Sequence, residues 1–126
     1  MANQLLFEGE AMARFRMTQV EMDNILFTFC VLSSQDDRWV SKTFVPGAAT
    51  ERQYWKMVSK GKPLGIHDRL TGYTHYIHSE NIMQGVSLWL ESGEGTIVNG
   101  KIEIQFDDVI ADRIFQYAIF GEVKYE

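Results

Sequence analysis

Two different hydrophobic periods in one short chain most constrain what this sequence can fold into. Residues 13–18 alternate apolar and polar side chains, the period of a half-buried β-strand, with two arginines on the polar side. From Ile82 to Leu90 and from Ile110 to Ala118, apolar residues instead recur every three or four positions, which is typical of a helix buried along one face. Strands and helices in separate runs predict an α+β fold.

Size and composition are consistent with one domain. The chain has 126 residues, of which 45% are hydrophobic, enough to bury a core of its own. We find no repeat, linker or low-complexity tract, so residues 1–126 are predicted to form a single domain. Cys30 is the only cysteine, which excludes an intramolecular disulfide.

An antiparallel β-meander is predicted in the N-terminal part. Its first strand covers the alternating residues 13–18. Ile25–Leu32 is apolar at both odd and even positions, which indicates a central strand covered on both sides. Arg38–Val45 is a third candidate strand, reached through a polar turn at 33–37.

About three helices are expected to pack with this meander. A capping box at Thr50-Glu51-Arg52-Gln53 predicts the first, and an Asp at 107 or 108 can cap the last. The predicted spans are about Glu51–Lys60, from Ser79 or Asn81 to Gly93, and from Asp107 or Asp108 to Gly121.

A β-hairpin is predicted towards the C-terminus. Asn99-Gly100 tolerates the positive φ angles of a type I′ turn, between candidate strands Thr96–Val98 and Lys101–Phe106. Pro63 and Gly65 favour a loop over Lys62–Leu70. We expect two further short strands, at Gly72–His78 and, along an edge, at Val123–Tyr125.

The N-terminus and one glycine-rich stretch bear on the compartment and on cofactor binding. The N-terminus lacks the cationic lead and long apolar run of a signal peptide, and the most apolar window, Ile25–Leu32, is too short to cross a bilayer. We therefore expect a cytoplasmic protein without membrane association. Ser92-Gly93-Glu94-Gly95 lacks the lysine and the glycine spacing of a phosphate-binding loop, and no cofactor is expected.

The histidines are the candidates for a metal site. His67, His75 and His78 are the only histidines, and Asp68 adjoins the first of them. On a strand, however, His75 and His78 point to opposite faces, which is poor geometry for a shared ion. A small metal-dependent hydrolase using these four residues therefore stays an alternative of low rank.

A basic-aromatic segment, residues 38–76, is the main positive signal. Residues 38–69 contain seven Lys or Arg and two acidic residues, interleaved with aromatic rings. Such residues suit phosphate contacts and base stacking in single-stranded nucleic acid or nucleotide binding, and equally suit protein interfaces. The same residues are also explained by a purely structural role, in which the tryptophans are buried in the core and the lysines lie on the solvent-exposed side of a helix. The interface candidates, including one from the last helix, are Arg38, Trp39, Arg52, Trp55, Lys56, Lys60, Lys62, Arg69, Tyr73 and Phe120.

The C-terminal part bears a resemblance to a known group. Residues 111–122 read Ala-Asp-Arg-Ile-Phe-Gln-Tyr-Ala-Ile-Phe-Gly-Glu. This resembles the C-terminal signature of small uncharacterised proteins from phages and conjugative elements, an Ala-Asp pair followed by Ile-x-Gln-Tyr-Ala-x-Phe-Gly-Glu. The likeness covers about the last 45 residues. It implies a mobile-element setting and no particular activity.

The sequence as a whole favours a non-enzymatic protein that binds another macromolecule, as an inhibitor or accessory factor does. The net charge of −5 disfavours wholesale coating of nucleic acid or an anionic membrane, so a protein partner ranks first. Self-association as a homo-oligomer would use the same surfaces. Single-stranded nucleic acid or nucleotide binding through 38–76 is the main alternative.

Overall fold

The computed structural model describes residues 6–11, 13–32, 38–48, 55–102 and 107–125. Within these ranges the chain forms four helices and seven strands, and the strands pair in three small antiparallel sheets, β1-β2, β3-β4-β5 and β6-β7. The predicted α+β class is confirmed. The elements in chain order are β1 Leu6–Ala11, β2 Ala13–Thr18, α1 Gln19–Leu32, β3 Val40–Phe44, α2 Trp55–Ser59, β4 Leu64–Asp68, β5 Thr74–Ile77, α3 Ser79–Glu91, β6 Ile97–Val98, β7 Lys101–Ile102 and α4 Asp108–Phe120.

The first strand predicted from the alternation is β2, and it pairs with β1. Phe15 and Met17 are buried, while Arg14 and Arg16 lie on the exposed face opposite Glu10 and Glu8. Cross-strand pairs of opposite charge favour this register.

Helix α1 replaces the predicted central strand over Ile25–Leu32, and that prediction is wrong. The Thr18 hydroxyl accepts a hydrogen bond from Glu21 N at 3.2 Å, and the Glu21 carboxylate accepts one from Thr18 N at 2.9 Å. This reciprocal capping box starts a helix at Gln19. The buried residues then follow the helical period, at Met22, Ile25, Leu26, Phe29 and Cys30.

The three-stranded sheet corrects a second prediction. The segment Lys62–Leu70, expected to be a loop, contains the central strand β4, because Pro63 precedes the strand and Gly65 lies beneath the Phe44 ring. The flanking strands β3 and β5 fall within predicted strand segments. Because α1 separates β2 from β3, the meander is β3-β4-β5 and β2 belongs to another sheet.

The last two helices begin and end close to their predicted positions. Asp107 caps α4 by accepting a hydrogen bond from Ile110 N at 2.8 Å, and Gly121 ends it in the left-handed conformation at φ 75°. Helices α3 and α4 pack closely at Gly85, where a Cβ atom would lie 2.4 Å from the Ile114 carbonyl oxygen. The side chains between them belong to the core.

The predicted type I′ hairpin is confirmed, and the C-terminal edge strand is not formed. Asn99 and Gly100 have φ angles of 53° and 77° between β6 and β7. Residues 123–125 form no strand, because the Gln116 side chain accepts hydrogen bonds from the backbone N–H groups of Lys124 and Tyr125 at 2.8 and 2.7 Å.

Helix α2 lies against α1. Ser59 donates a hydrogen bond to Asp23 Oδ1 at 2.9 Å, and the Gln19 amide also contacts the Ser59 hydroxyl. The predicted capping box at 50–53, which includes Arg52, lies outside the described residues. Across the described part of the chain, no helix is both long and apolar enough to cross a membrane.

Candidate functional site

The structure divides the basic-aromatic segment into a buried end and an exposed remainder. At the buried end, Trp39 is 6% exposed and its indole N–H donates a hydrogen bond to Asp112 Oδ1 at 2.7 Å. Arg38 Nη2 lies 3.1 Å from Asp108 Oδ2. Both residues therefore attach the start of the segment to α4, with Trp39 buried and the Arg38 side chain 24% exposed.

Phe120, the interface candidate from α4, packs into the same region. Its ring centroid lies 5.6 Å from that of Trp39 and 5.8 Å from that of Tyr125, and Lys124 Nζ lies 5.0 Å above the ring. Aromatic contacts at these distances stabilise a fold. Phe120 thus contributes to the packing of the C-terminal segment.

Helix α1 presents an exposed apolar stripe. Val20, Phe27 and Val31 are 61%, 46% and 42% exposed and lie on one side of the helix, since they are separated by seven and four residues. The Phe27 ring meets Trp55 of α2 edge-on, with centroids 5.2 Å apart. These four residues, together with the lysines of α2 described next, form what we call the α1–α2 surface.

The charged residues described on α1 and α2 are two carboxylates and the exposed lysines. The α1 carboxylates, Glu21 and Asp23, are hydrogen-bonded to Thr18 N and to Ser59, so they take no part in the stripe. The interface candidates Lys56 and Lys60 are exposed in and just after α2, and Lys62 is exposed beyond them. The α1–α2 surface therefore combines an uncharged apolar stripe with a positive margin.

A second exposed area is the outer face of the sheet β3-β4-β5, here called the outer sheet face. Two rows of paired residues cross it, Lys42–His67–Thr74 and Phe44–Gly65–Tyr76. The Phe44 and Tyr76 ring centroids are 6.0 Å apart, and Lys42 Nζ lies 5.4 Å above the Phe44 ring. Exposed Arg69 and Tyr73, two predicted candidates, lie in the turn between β4 and β5.

The inner face of the sheet holds a buried carboxylate. Asp68 Oδ1 accepts hydrogen bonds from Leu70 N at 2.9 Å and Thr71 N at 3.2 Å, and Oδ2 accepts one from the Tyr125 hydroxyl at 2.9 Å. Burial raises the pKa of Asp68, but these hydrogen bonds outweigh burial and hold the pKa below its ordinary value. Asp68 thereby closes the β4–β5 turn as an ion.

The four candidate metal ligands do not come together. His75 Nε2 lies 3.9 Å from Asp68 Oδ2 on the inner face, whereas His67 lies on the outer face, where its Nδ1 is 2.9 Å from Thr74 Oγ1. His78 is exposed at the start of α3. In the ranges that the structure describes, no group of three or more His, Cys, Asp or Glu side chains is placed to hold a metal ion.

The residues that resemble the phage and conjugative-element signature are used for packing. Gln116 is fully buried and binds both Asp112 and the backbone of the C-terminal segment at 2.7–2.8 Å. Ala118 lies where α4 approaches Gly85 of α3. Comparison of the chain with protein-family models, curated protein sequences and solved structures found no match.

Proposed function

We propose that this chain is a non-enzymatic binding protein that docks another protein on its α1–α2 surface and acts as an inhibitor or accessory factor of a mobile element. The observation that carries this proposal is the exposed stripe of Val20, Phe27 and Val31. A helix that is apolar on both its buried and its exposed sides indicates a second packing partner. The mobile-element setting rests on the resemblance of residues 111–122.

The stripe indicates the shape of that partner. Val20 and Val31 are eleven positions apart along α1, which corresponds to about 16 Å of helix. This length matches about three turns of an amphipathic helix laid alongside α1. Phe27, at the centre and supported by Trp55, takes the position of an interface anchor.

The charges indicate its chemistry. Lys56, Lys60 and Lys62 are exposed in and just after α2, which packs against α1 through Trp55 and Ser59, and the α1 carboxylates are hydrogen-bonded within the fold. Opposite charges across an interface favour the correct partner and suppress others. The partner we propose is therefore a protein segment with an apolar ridge bordered by Asp or Glu residues.

A photo-crosslinking experiment tests this surface. Benzoylphenylalanine is placed at Phe27 and, in a matched control, at Val109, an apolar residue of α4 that is 58% exposed. We expect one discrete crosslinked protein at position 27 that is absent at position 109. Equal crosslinking at both positions, or crosslinking at neither, contradicts the proposal.

Substitutions then measure the contribution of the stripe. Phe27→Asp and Val20→Glu should each weaken binding of the crosslinked protein, roughly thirtyfold for loss of a central anchor worth about 2 kcal/mol. Val109→Asp should leave binding unchanged. If Phe27→Asp and Val20→Glu both fold, as judged by circular dichroism, and both retain full affinity, the proposed surface is wrong.

Self-association is separated from partner binding by sedimentation. A crosslinked dimer of this chain at position 27, with a concentration-dependent sedimentation coefficient that Phe27→Asp abolishes, would assign the stripe to a homo-oligomer and refute the separate partner. A wild-type chain that sediments as a monomer supports a different protein as the occupant.

A further inference from the structure

The outer sheet face has an aromatic pair, Phe44 and Tyr76, whose rings meet edge to face at 88° and whose contact depends on one glycine. Phe44 and Tyr76 are both paired with Gly65, which has no side chain to separate them. The Phe44 ring lies over this glycine so closely that a Cβ atom there would be 2.5 Å from Phe44 Cζ. The half-buried Phe44 ring therefore contacts the ring of Tyr76 edge to face, and Tyr76, which is 56% exposed, presents the more accessible aromatic surface.

The polar residues in the two rows of the same face include no acidic side chain. The second row places Lys42, His67 and Thr74 next to the aromatic row, and the outward positions of the described strands include no carboxylate. Asp68, the acidic residue of β4, points to the inner face and is fully buried. An anion that reaches the outer sheet face thus meets an ammonium and hydrogen-bonding groups, without a competing carboxylate from the described residues of these three strands.

From this arrangement we infer that the outer sheet face binds a short segment of single-stranded nucleic acid. Every base has a flat π-surface that stacks on aromatic side chains, and each phosphate needs a cation nearby. The outer two strands of a three-stranded sheet are about 10 Å apart, which leaves room for roughly two or three splayed bases. This site lies on β3, β4 and β5 and is independent of the α1–α2 surface.

The composition of the face favours nucleic acid over a protein partner. The centre of a protein interface is depleted of charged residues such as lysine, whereas the aromatic row here lies directly beside Lys42 and hydrogen-bonding groups. Duplex nucleic acid is disfavoured because its bases are stacked on each other and their faces are inaccessible. Unpaired bases present the surfaces that Phe44 and Tyr76 complement.

Lys42 has a specific place in this binding. In the free protein its ammonium group lies 5.4 Å above the Phe44 ring, a cation–π contact that is weak at an exposed site. A phosphate oxygen is a stronger partner for an ammonium group than a ring is. Nucleic acid would therefore move Lys42 onto the backbone phosphate and leave the Phe44 ring to a base.

Fluorescence anisotropy with a labelled oligothymidylate of about 12 nucleotides tests the site. We expect saturable binding at low salt, with markedly weaker binding of a duplex of equal length. Tyr76→Ser should lower the affinity about 5- to 150-fold, the range given by loss of one stacked base, and Tyr76→Trp should restore it. Lys42→Ala should reduce the slope of log affinity against log salt by about 0.7, the value for one phosphate on a single strand.

Matched variants at other surfaces complete the design. Lys101→Ala removes an exposed lysine from β7, and Phe27→Ser alters only the α1–α2 surface; both should bind the oligonucleotide as the wild type does. The inference is overturned by absence of binding at low salt, by equal affinity for duplex, or by equal losses in Lys42→Ala and Lys101→Ala. Because Phe27→Ser tests the other surface, failure of this site leaves the proposed protein docking to its own test.

Discussion

The hydrogen bond between Tyr125 and Asp68 allows a stability prediction that the structure makes quantitative. The Tyr125 hydroxyl donates to Asp68 Oδ2 at 2.9 Å, and the Asp68 side chain is fully buried. Tyr125→Phe removes the hydroxyl donor, so Asp68 Oδ2 loses its hydrogen bond from Tyr125. Since hydrogen bonds to charged groups contribute about 1.5–3 kcal/mol, we expect the free energy of unfolding at neutral pH to fall by that amount.

The direction of the Asp68 pKa shift determines how the cost of Tyr125→Phe changes with pH. The hydrogen bonds hold the Asp68 pKa below its ordinary value of 3.8, against the opposing effect of burial. A carboxyl group whose pKa is lowered on folding stabilises the protein above its unfolded pKa, and that contribution is lost as the pH falls through the folded pKa. Burial and the Asp68 carboxylate raise the pKa of Tyr125 above 10.0, so Tyr125 remains a donor throughout. The cost of Tyr125→Phe should therefore be constant near neutral pH and should decline as the pH falls from the unfolded pKa through the folded one.

A double-mutant cycle measured by urea denaturation tests this reasoning. Tyr125→Phe, Asp68→Asn and the double variant give the coupling free energy between the two side chains. Tyr73→Phe, at a tyrosine that is 70% exposed, is the matched control and should cost almost nothing. A coupling below about 0.5 kcal/mol at neutral pH, or a coupling that persists unchanged in acid, would refute the argument.

Two further variants test how the C-terminal helix is held. Gln116→Met keeps the length of a buried side chain but removes its four hydrogen bonds. We expect the free energy of unfolding to fall by about 2–4 kcal/mol and carboxypeptidase to digest the C-terminus faster. Unchanged digestion would contradict the role of Gln116 in holding the C-terminal segment. Gly85→Ala places a methyl group 2.4 Å from the Ile114 carbonyl oxygen. Thermal and urea denaturation should therefore show that the free energy of unfolding falls by about 1–3 kcal/mol. The control Ser87→Ala, on the same helix, should change the free energy of unfolding little.

The elements predicted correctly are those whose signals lie within a few residues. Asn99-Gly100 fixes a type I′ turn through its own φ angles, and Asp107 and Gly121 cap α4 through contacts inside that helix. The helical period of α3 is equally visible, because its buried residues, Ile82, Val86 and Leu90 among them, recur every four positions. In each case the local energy and the final fold agree.

The sequence pattern predicts a strand where helix α1 forms, because the apolar residues there fit both the strand period and the helix period. A run that is apolar at odd and even positions is compatible with a covered strand, and only its start distinguishes the alternatives. That start was present as Thr18-x-x-Glu21, a capping box whose hydrogen bonds the structure shows. Strand β4 was missed for a different reason, because Gly65 accommodates the Phe44 ring instead of breaking the strand.

The division of the basic-aromatic segment could not be predicted locally. Trp39 and Trp55 stand in similar basic surroundings, but Trp39 is hydrogen-bonded to Asp112, which lies 73 positions further along the chain. Arg38 is likewise bound to Asp108, 70 positions away. Burial of the first tryptophan therefore depends on how α4 packs, whereas the exposure of the lysines near Trp55 follows from their position in and after a short surface helix.

The same long-range contacts explain why net charge is a poor guide to the outer sheet face. Residues 70–126 contain nine acidic and three basic residues. Several of those acids are engaged in the structure, Asp107 as a helix cap, Asp108 with Arg38 and Glu94 with Arg113. Helix α4 and its C-terminal extension pack on the inner side of the sheet, as the contacts of Tyr125 with Asp68 show. Their negative charge therefore lies behind the strands, and a ligand at the outer face meets Lys42 first.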